Sequence, residues 1–562
     1  MRRVVLTAAA VTLFAATPAH AQTWEPPPAL VVLLEGTSLP ELLADPQLRA
    51  LATHGGVALM NGRADVREET QLVIDSRDTT PAPVTAHGLK LGQADPSEAA
   101  EAVSAWLAGR TGELDDPVLV IVLSASPSAA SAADGDELGT VIAAWGDPAE
   151  LLEATGEPHA LTSDSTRRAG VVADVDPAAT VAEWLGLPYD DGAPIEPTEE
   201  PAPLDLYERY LQQRRLAVPA AAASWGVMML VGLVAVVTLA LRRRLPPAVL
   251  GGVGALTATL PWLALGLLLV GHLPSLTAIT VIPSLLVFVG AGVVFTTWVE
   301  ARRGIFVALA ATGGVILSIL AVEAAIGWPA AVTPLAGGGQ LDGGRFFGMP
   351  NIEIGIVLGA ALFVAHRVRV STGFLLTAVC ALVAGSPWTG ANFGAAIALF
   401  SAAGLWLAIR RRRPSWLVVL ITGAITTAGM AAIAVMHRYL TDRPTHVTAL
   451  LEGTSSLGGV VDRLTGRLGI GWDQLTDTPL AAIPVVGVLV LLVVVLRPPS
   501  AIAASFDGHD AWRDAVLVLL LASVIAYLAN DTGAAAVGFG FGFALSGLLG
   551  VSLAVTRGKM RR

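Results

Sequence analysis

The sequence predicts an α/β extracytoplasmic domain followed by an all-α polytopic transmembrane bundle of about eleven helices. Three observations carry that expectation. A short apolar leader opens the chain. Strand-like and helix-like segments then alternate over roughly 170 residues. From Ala221 onward, one apolar segment after another is long enough to cross a bilayer. Composition agrees: 54% of the 562 residues are hydrophobic and only 14% are charged. A soluble domain carries about a quarter charged residues, so much of this chain is expected to avoid water.

The leader has the parts of a signal peptide. Arg2 and Arg3 precede the apolar run Val4–Ala16, and Ala19-His20-Ala21 supplies a small-x-small cleavage site. Residues 1–21 are read as the signal peptide and Gln22 as the mature N-terminus; the alternative is an uncleaved anchor. The single cysteine, Cys380, lies in an apolar segment and has no intramolecular partner. Residues 22–189 must therefore hold together by their own core, and their length suffices for one.

Within that domain, Leu30–Leu34, Val57–Met60, Val118–Leu123 and Gly170–Ala173 read as buried strands, and Leu39–His54 has helical apolar spacing. Asp176 is expected as an N-cap, with Pro177 at the first helical position of a helix reaching Leu185. Alternating elements imply a mostly parallel sheet. Residues 190–219 read as a linker: Asp190–Leu204 is rich in proline and acidic residues, and Asp205–Leu216 fits a juxtamembrane helix. Charge is divided unevenly. Gln22–Pro219 has 33 acidic against 11 basic side chains, a net of −22, whereas the rest after the leader has 13 against 22, a net of +9. So acidic an external domain argues against nucleic acid as a partner.

Residues 220–562 read as the bundle. Spans are expected near Ala222–Leu241, Ala248–Val270, Leu276–Val299, Ile305–Ala325, Ile352–Ala365, Val370–Ala384, Phe393–Ile409, Trp416–Met436, Ala481–Leu496, Ala515–Leu528 and Ala534–Val555. An exported domain makes the first span run outside to inside, ending at Arg242-Arg243-Arg244. Alternation then puts every strong basic cluster on the cytoplasmic side, including Arg302-Arg303, Arg410–Arg413 and the C-terminal tail. The expected location is thus the plasma membrane, with the N-terminal domain outside and the C-terminus inside.

The same alternation gathers four polar loops on the outer face, those after the fourth, sixth, eighth and tenth spans. Glu323 and Glu353 flank the first of them. Glycine and proline around Asn351 and Asn392 suggest interrupted helix ends, whose free backbone groups bind polar ligands. Arg345 suits an anionic head group, because its planar fork donates bidentate bonds. Arg345, Asn351, Glu353, Asn392 and Asp531 are therefore expected to converge on one outward-facing pocket. The alternative is ordinary turns and helix caps, which use the same residues. His437 and His446 read as loop or interfacial histidines or, alternatively, as a base or ligand. No metal-ligand spacing, phosphate-binding glycine loop or ATPase domain is present in the sequence.

Two stretches of the first domain carry a resemblance. Val31-Val32-Leu33-Leu34-Glu35-Gly36 with Leu48–Met60, and Gly170–Pro188 with its Asp176-Pro177 and Leu185-Gly186-Leu187-Pro188, are similar to the opening and late segments of alkaline phosphatase/sulfatase-superfamily domains. The resemblance covers about the first third of the chain. It implies an α/β domain with a metal-binding Asp at position 35, a Ser or Thr nucleophile near Arg63-Ala64, and an Asp-His metal pair near Ser124-Ala125-Ser126. This sequence departs from the pattern at each place, offering Glu35, no hydroxyl nucleophile and two serines. A two-metal phosphoryl site needs converging oxygen and imidazole ligands. The domain is expected to be a degenerate relative with no metal and no cofactor.

These readings favour a multi-pass envelope protein that handles a lipid-linked or anionic substrate at its outer face, with membrane lipid as the other partner. A secondary transporter and a membrane-anchored phosphoester hydrolase are the alternatives.

Overall fold

The computed structural model describes residues 28–560 except 35, 62–85, 91–95, 110–116, 125, 128–131, 133–137, 154, 174–175, 187–191, 336–338, 343–346, 531–532 and all but a few of 442–478. The signal peptide and its cleavage site lie outside these residues. The chain divides into two units, Met1–Arg215 with Gln340–Phe347, and Leu216–Gly339 with Gly348–Arg562.

The first unit is an α/β sheet of eight strands: β1 (Ala29–Leu34), β2 (Gly56–Asn61), β3 (Ala86–Lys90), β4 (Val118–Ser124), β5 (Gly139–Gly146), β6 (His159–Ser163), β7 (Val171–Ala173) and β8 (Ile195–Pro201). The order is β3-β1-β4-β5-β2-β6-β8, with β7 also paired to β2. The four strands read from sequence are present, and the sheet is mostly parallel as expected: six of its eight strands run one way, and β5 and β8 run against them. β5 runs antiparallel to both β4 and β2, and β8 antiparallel to β6. All of β4 is buried, because its run VLVIVLS has no polar alternation.

The Leu39–His54 stretch is two helices, α1 (Leu39–Ala44) and α2 (Pro46–His54). Asp45 divides them. Its carboxylate accepts the amides of Gln47 (2.9 Å) and Leu48 (3.1 Å), and Pro46 takes the first helical position. Helix α3 spans Pro96–Ala108 and α4 spans Asp176–Trp184.

The segment expected as a linker is corrected. Ile195–Pro201 is strand β8 at the sheet edge, with Ile195 buried opposite Ser163. Edge strands tolerate proline and charge, which block further pairing, so an edge strand shares its composition with a linker. The expected juxtamembrane helix is continuous with the first span in α5 (Leu204–Ala240).

The second unit is all helical: α6 (Pro247–Thr257), α7 (Thr259–Leu269), α8 (Ala278–Arg303), α9 (Ile305–Ala325), α10 (Glu353–Ala365), α11 (Val370–Gly385), α12 (Phe393–Arg410), α13 (Ser415–Tyr439), α14 (Pro479–Leu496), α15 (Ser500–Phe506), α16 (Asp510–Ala529) and α17 (Gly533–Met560). Each of the eleven expected spans falls on helix. Among the described residues, eight helical segments are long and apolar enough to cross a membrane, and α14 with α15 makes a ninth, bent by 73°. Helices α10 and α11 are shorter. At 1.5 Å per residue, α10 is about 20 Å long against a hydrocarbon core of about 30 Å. The outer helices α8 and α13 expose apolar side chains such as Leu286, Val287, Val419 and Leu420. Faces of that kind belong to a multi-pass membrane protein, not to a water-facing surface.

Helix α10 is the centre. Almost all its side chains are buried, and it packs against α9, α11, α16 and α17. A Cβ at Gly355 would lie 2.2 Å from the carbonyl of Ala536, so the α10 and α17 backbones are in contact there.

One buried carboxylate organises the end of the first unit. Asp176 Oδ2 accepts from the Ser163 hydroxyl (2.5 Å) and the Ala173 amide (2.7 Å). Oδ1 accepts from the Ser165 hydroxyl (2.7 Å) and the Ala193 amide (3.0 Å). The expected N-cap therefore ties β6, β7, α4 and the entry to β8 together. Burial pushes the Asp176 carboxyl above its ordinary value of 3.8, while the four hydrogen bonds pull the other way. An acid whose value is raised on folding contributes stability below its unfolded value and loses it as pH rises through the folded one. Stability from this group should fall as pH climbs through that window. Each oxygen also faces a fixed backbone N–H, so either orientation of an amide sets an NH₂ against a donor. Asp176→Asn should destabilise the unit by about 2 kcal/mol or more. Hydrogen exchange across β7 and α4 in the full chain checks this; unchanged protection would contradict it.

Candidate functional site

In the first unit, open α/β sheets place sites beyond the carboxyl ends of their strands. Here the ends of β1 and β4 are closed by hydroxyls. Ser124 Oγ lies 2.7 Å from the Thr37 carbonyl and 2.8 Å from the Ser126 carbonyl, and the Ser126 hydroxyl accepts the Gly36 amide at 3.1 Å. The Thr37 amide donates to Ser126 O at 3.2 Å. The two serines standing where the resemblance implies an Asp-His pair thus bond to backbone and join the two strands. Glu35 and Arg63-Ala64 lie outside the described residues. Among the described residues, no group of three or more His, Cys, Asp or Glu is placed to hold a metal.

In the same unit, the guanidinium of Arg167 stacks 4.3 Å over the ring of Phe347. Phe347 and the 3₁₀ turn Gln340–Asp342 flank Arg345, which itself lies outside the described residues.

In the helical unit, one end gathers amides. Asn392 caps α12, its Oδ1 accepting the Ala395 amide at 2.7 Å. Its Nδ2 donates to the Met349 carbonyl (3.0 Å) and to Asn351 Oδ1 (3.3 Å). The Met349 amide returns a bond to the Gly390 carbonyl at 2.8 Å. Asn351 and Asn392 are therefore brought together, from loops 41 residues apart. Asn530 joins them from the end of α16. A Cβ at Gly394 would lie 2.0 Å from Asn530 Oδ1, so only glycine admits that amide beside α12. Glu353 is wholly buried in the first turn of α10. Asp531, next to Asn530, lies outside the described residues.

These amides are buried and their bonds run inward. Asn392 uses its acceptor on a helix cap and its donors on the neighbouring loop, so it clasps the ends of α10 and α12. His437 likewise is buried, and its Nε2 donates to the Gly385 carbonyl at 2.9 Å, tying α13 to α11. His446 lies outside the described residues.

A second polar group at the same end is read from sequence only in part: Glu323 is singled out, its partner His272 is not. Glu323, in the last turn of α9, meets His272, in the 3₁₀ turn Val270–His272 after α7; His272 Nε2 is 2.5 Å from Glu323 Oε1. Glu323 Oε2 accepts the Ala330 amide at 3.2 Å. Nearby, Trp328 is left-handed (φ 58°) and its indole N–H donates to the Thr389 carbonyl at 2.7 Å. The signal available for His272 was its isolation: it is the sole titratable side chain between Arg244 and Glu300.

The opposite end carries charge pairs and aromatics. Arg410 and Arg412 bond Asp514 at 3.0 and 3.4 Å, joining α12 to α16, and Arg557 bonds Glu300, joining α17 to α8. His366, after α10, packs its ring against Trp512 at 5.2 Å. The two ends thus differ in kind: amides, one His–Glu pair and the buried Glu353 at one, arginine–carboxylate pairs at the other. The first end presents a half-exposed imidazole; the second offers positive charge.

No family model matches the chain, and no curated protein or solved structure matches it.

The Asn392 clasp yields a test. Asn392→Ala removes a cap and leaves the Met349 carbonyl without its donor, which should cost about 2 kcal/mol. Asn392→Asp keeps the cap but sets a carboxylate oxygen against two acceptors. Thermal unfolding in detergent should find the Asp chain at least as unstable as the Ala chain; a stable Asp chain would show that Nδ2 contributes nothing.

Proposed function

We propose that the protein is a cell-envelope membrane protein whose helical unit handles a lipid-linked or anionic substrate at its outward-facing end, and whose first unit is a non-catalytic, alkaline phosphatase-like domain. The observation that carries this reading is the division of the helical unit into an amide-rich end and an arginine-rich end. Basic residues collect on the cytoplasmic side of membrane proteins, which makes the amide-rich end the outer one. The serines at the ends of β1 and β4 support the non-catalytic part, because their hydroxyls are engaged with backbone where the family carries metal ligands. Arg345 is the cation proposed to meet the anionic group.

Orientation is tested first. A reporter active only in the cytoplasm, fused after Arg562, should be active; activity of an export-dependent reporter there would reverse the assignment of both ends. Substrate class is tested by mass spectrometry of the lipids retained by the purified chain. A polyprenyl-phosphate or other anionic lipid should be enriched over its share in the source membrane, and Arg345→Ala should lose that enrichment. Retention that mirrors the bulk membrane in both chains would sink the reading.

A secondary transporter is the second reading. Two buried carboxylates in the helical unit, Glu323 and Glu353, favour it, since such groups mark ion and proton paths.

A further inference from the structure

Between Arg244 and Glu300 the sole titratable side chain is His272; between Arg303 and Asp342 it is Glu323. These two isolated groups, 51 residues apart in sequence, lie 2.5 Å from each other. An ionisable side chain in an apolar bundle is costly unless paired, so the meeting of these two is a built feature. The pair is asymmetric: the Glu323 side chain is 5% exposed and that of His272 is 42% exposed.

The geometry fixes the roles. Glu323 accepts from the Ala330 amide on one oxygen and meets His272 Nε2 on the other. A carboxylate accepting on both oxygens makes Nε2 the donor and leaves Nδ1 as the basic nitrogen. Gly271 makes the approach possible, since a Cβ there would lie 2.1 Å from the Ala330 carbonyl. Of the elements packed on α9, helix α10 carries one further acid, the buried Glu353 of its first turn. Among the described residues, the turn Pro329–Ala331, helices α6 and α7, and α8 before Glu300 carry no other titratable group. Neither does α9 besides Glu323, α5 from Leu216 to Ala240, or α17 from Gly533 to Thr556. An imidazole with an orienting carboxylate behind it and solvent before it is the arrangement of a general base.

We propose that His272 and Glu323 form a proton-accepting site, in which His272 exchanges a proton with water at this end of the helical unit. An O–H bond of hydronium breaks, an N–H bond forms at Nδ1, and water leaves. Glu323 is the positioning residue: it holds the ring and neutralises the imidazolium. The inference requires no lipid-linked substrate and stands apart from the proposed function.

The test is carbethoxylation of the full chain in membranes by diethyl pyrocarbonate, which attacks neutral imidazole, with the rate at His272 read by mass spectrometry against pH. His272 should react, with a rate that rises with pH along a single ionisation. In Glu323→Gln the pH profile should separate from wild type while the plateau rate at high pH agrees, which a structural role alone would not produce. Glu323→Asp, which keeps the charge, should restore the wild-type profile. No reaction at any pH, or superposable profiles for wild type and the Gln chain, would overturn the site. Should the Gln chain fail to fold, the wild-type profile decides, and a rate independent of pH overturns it.

Discussion

The helical unit depends on one constraint: a polar group inside an apolar bundle must find its partner within the bundle. Asn392 answers it with a cap and two donated bonds, Glu323 with an imidazole and a backbone amide, Asp514 with two arginines. The partners lie on other helices or loops in each case. Satisfying the constraint therefore also fixes which helix ends meet. The apolar middle of α10, packed backbone to backbone on α17, then needs only small residues and close contact.

The first unit obeys the same rule in a different medium. Asp176 is as buried as the amides of the bundle and is held by four donors from three parts of the chain. Ser124 and Ser126 do comparable work on a smaller scale between β1 and β4. A hydroxyl is cheap to bury because a single backbone carbonyl satisfies it. A carboxylate–imidazole pair at that place would demand a metal or further donors. The serines let the strand ends close on each other.

Elements with strong local signals were legible in the sequence. The runs at β1, β2, β4 and β7 stand out because burial on both faces removes polar alternation, and the apolar segments of the bundle because they are long and nearly free of charge. The missed elements had weak local signals. β8 reads as a linker because an edge strand and a linker favour the same residues, and β5 runs against both its neighbours with no marker except glycine at each end. Asn351 and Asn392 were legible as polar residues beside Gly and Pro at helix ends, but the direction of their bonds was not. A cap that serves the fold and an amide that serves a ligand have the same sequence. Arg345 and Asp531 lie outside the described residues, so their placement adds nothing to that comparison.

The inward direction of those bonds narrows the chemistry open to the helical unit. Asn392 has spent its acceptor and its donors, and Asn351 Oδ1 is taken up by it. A ligand that recruited either amide would have to undo the clasp between α10 and α12 and repay its cost. Groups with capacity left at this end are of another type: the half-exposed imidazole of His272, which has one nitrogen engaged and one remaining. Polar contact there passes through the imidazole proposed as the proton acceptor, whereas the amides hold the helix ends in place. The amides thereby set the frame in which the imidazole is presented.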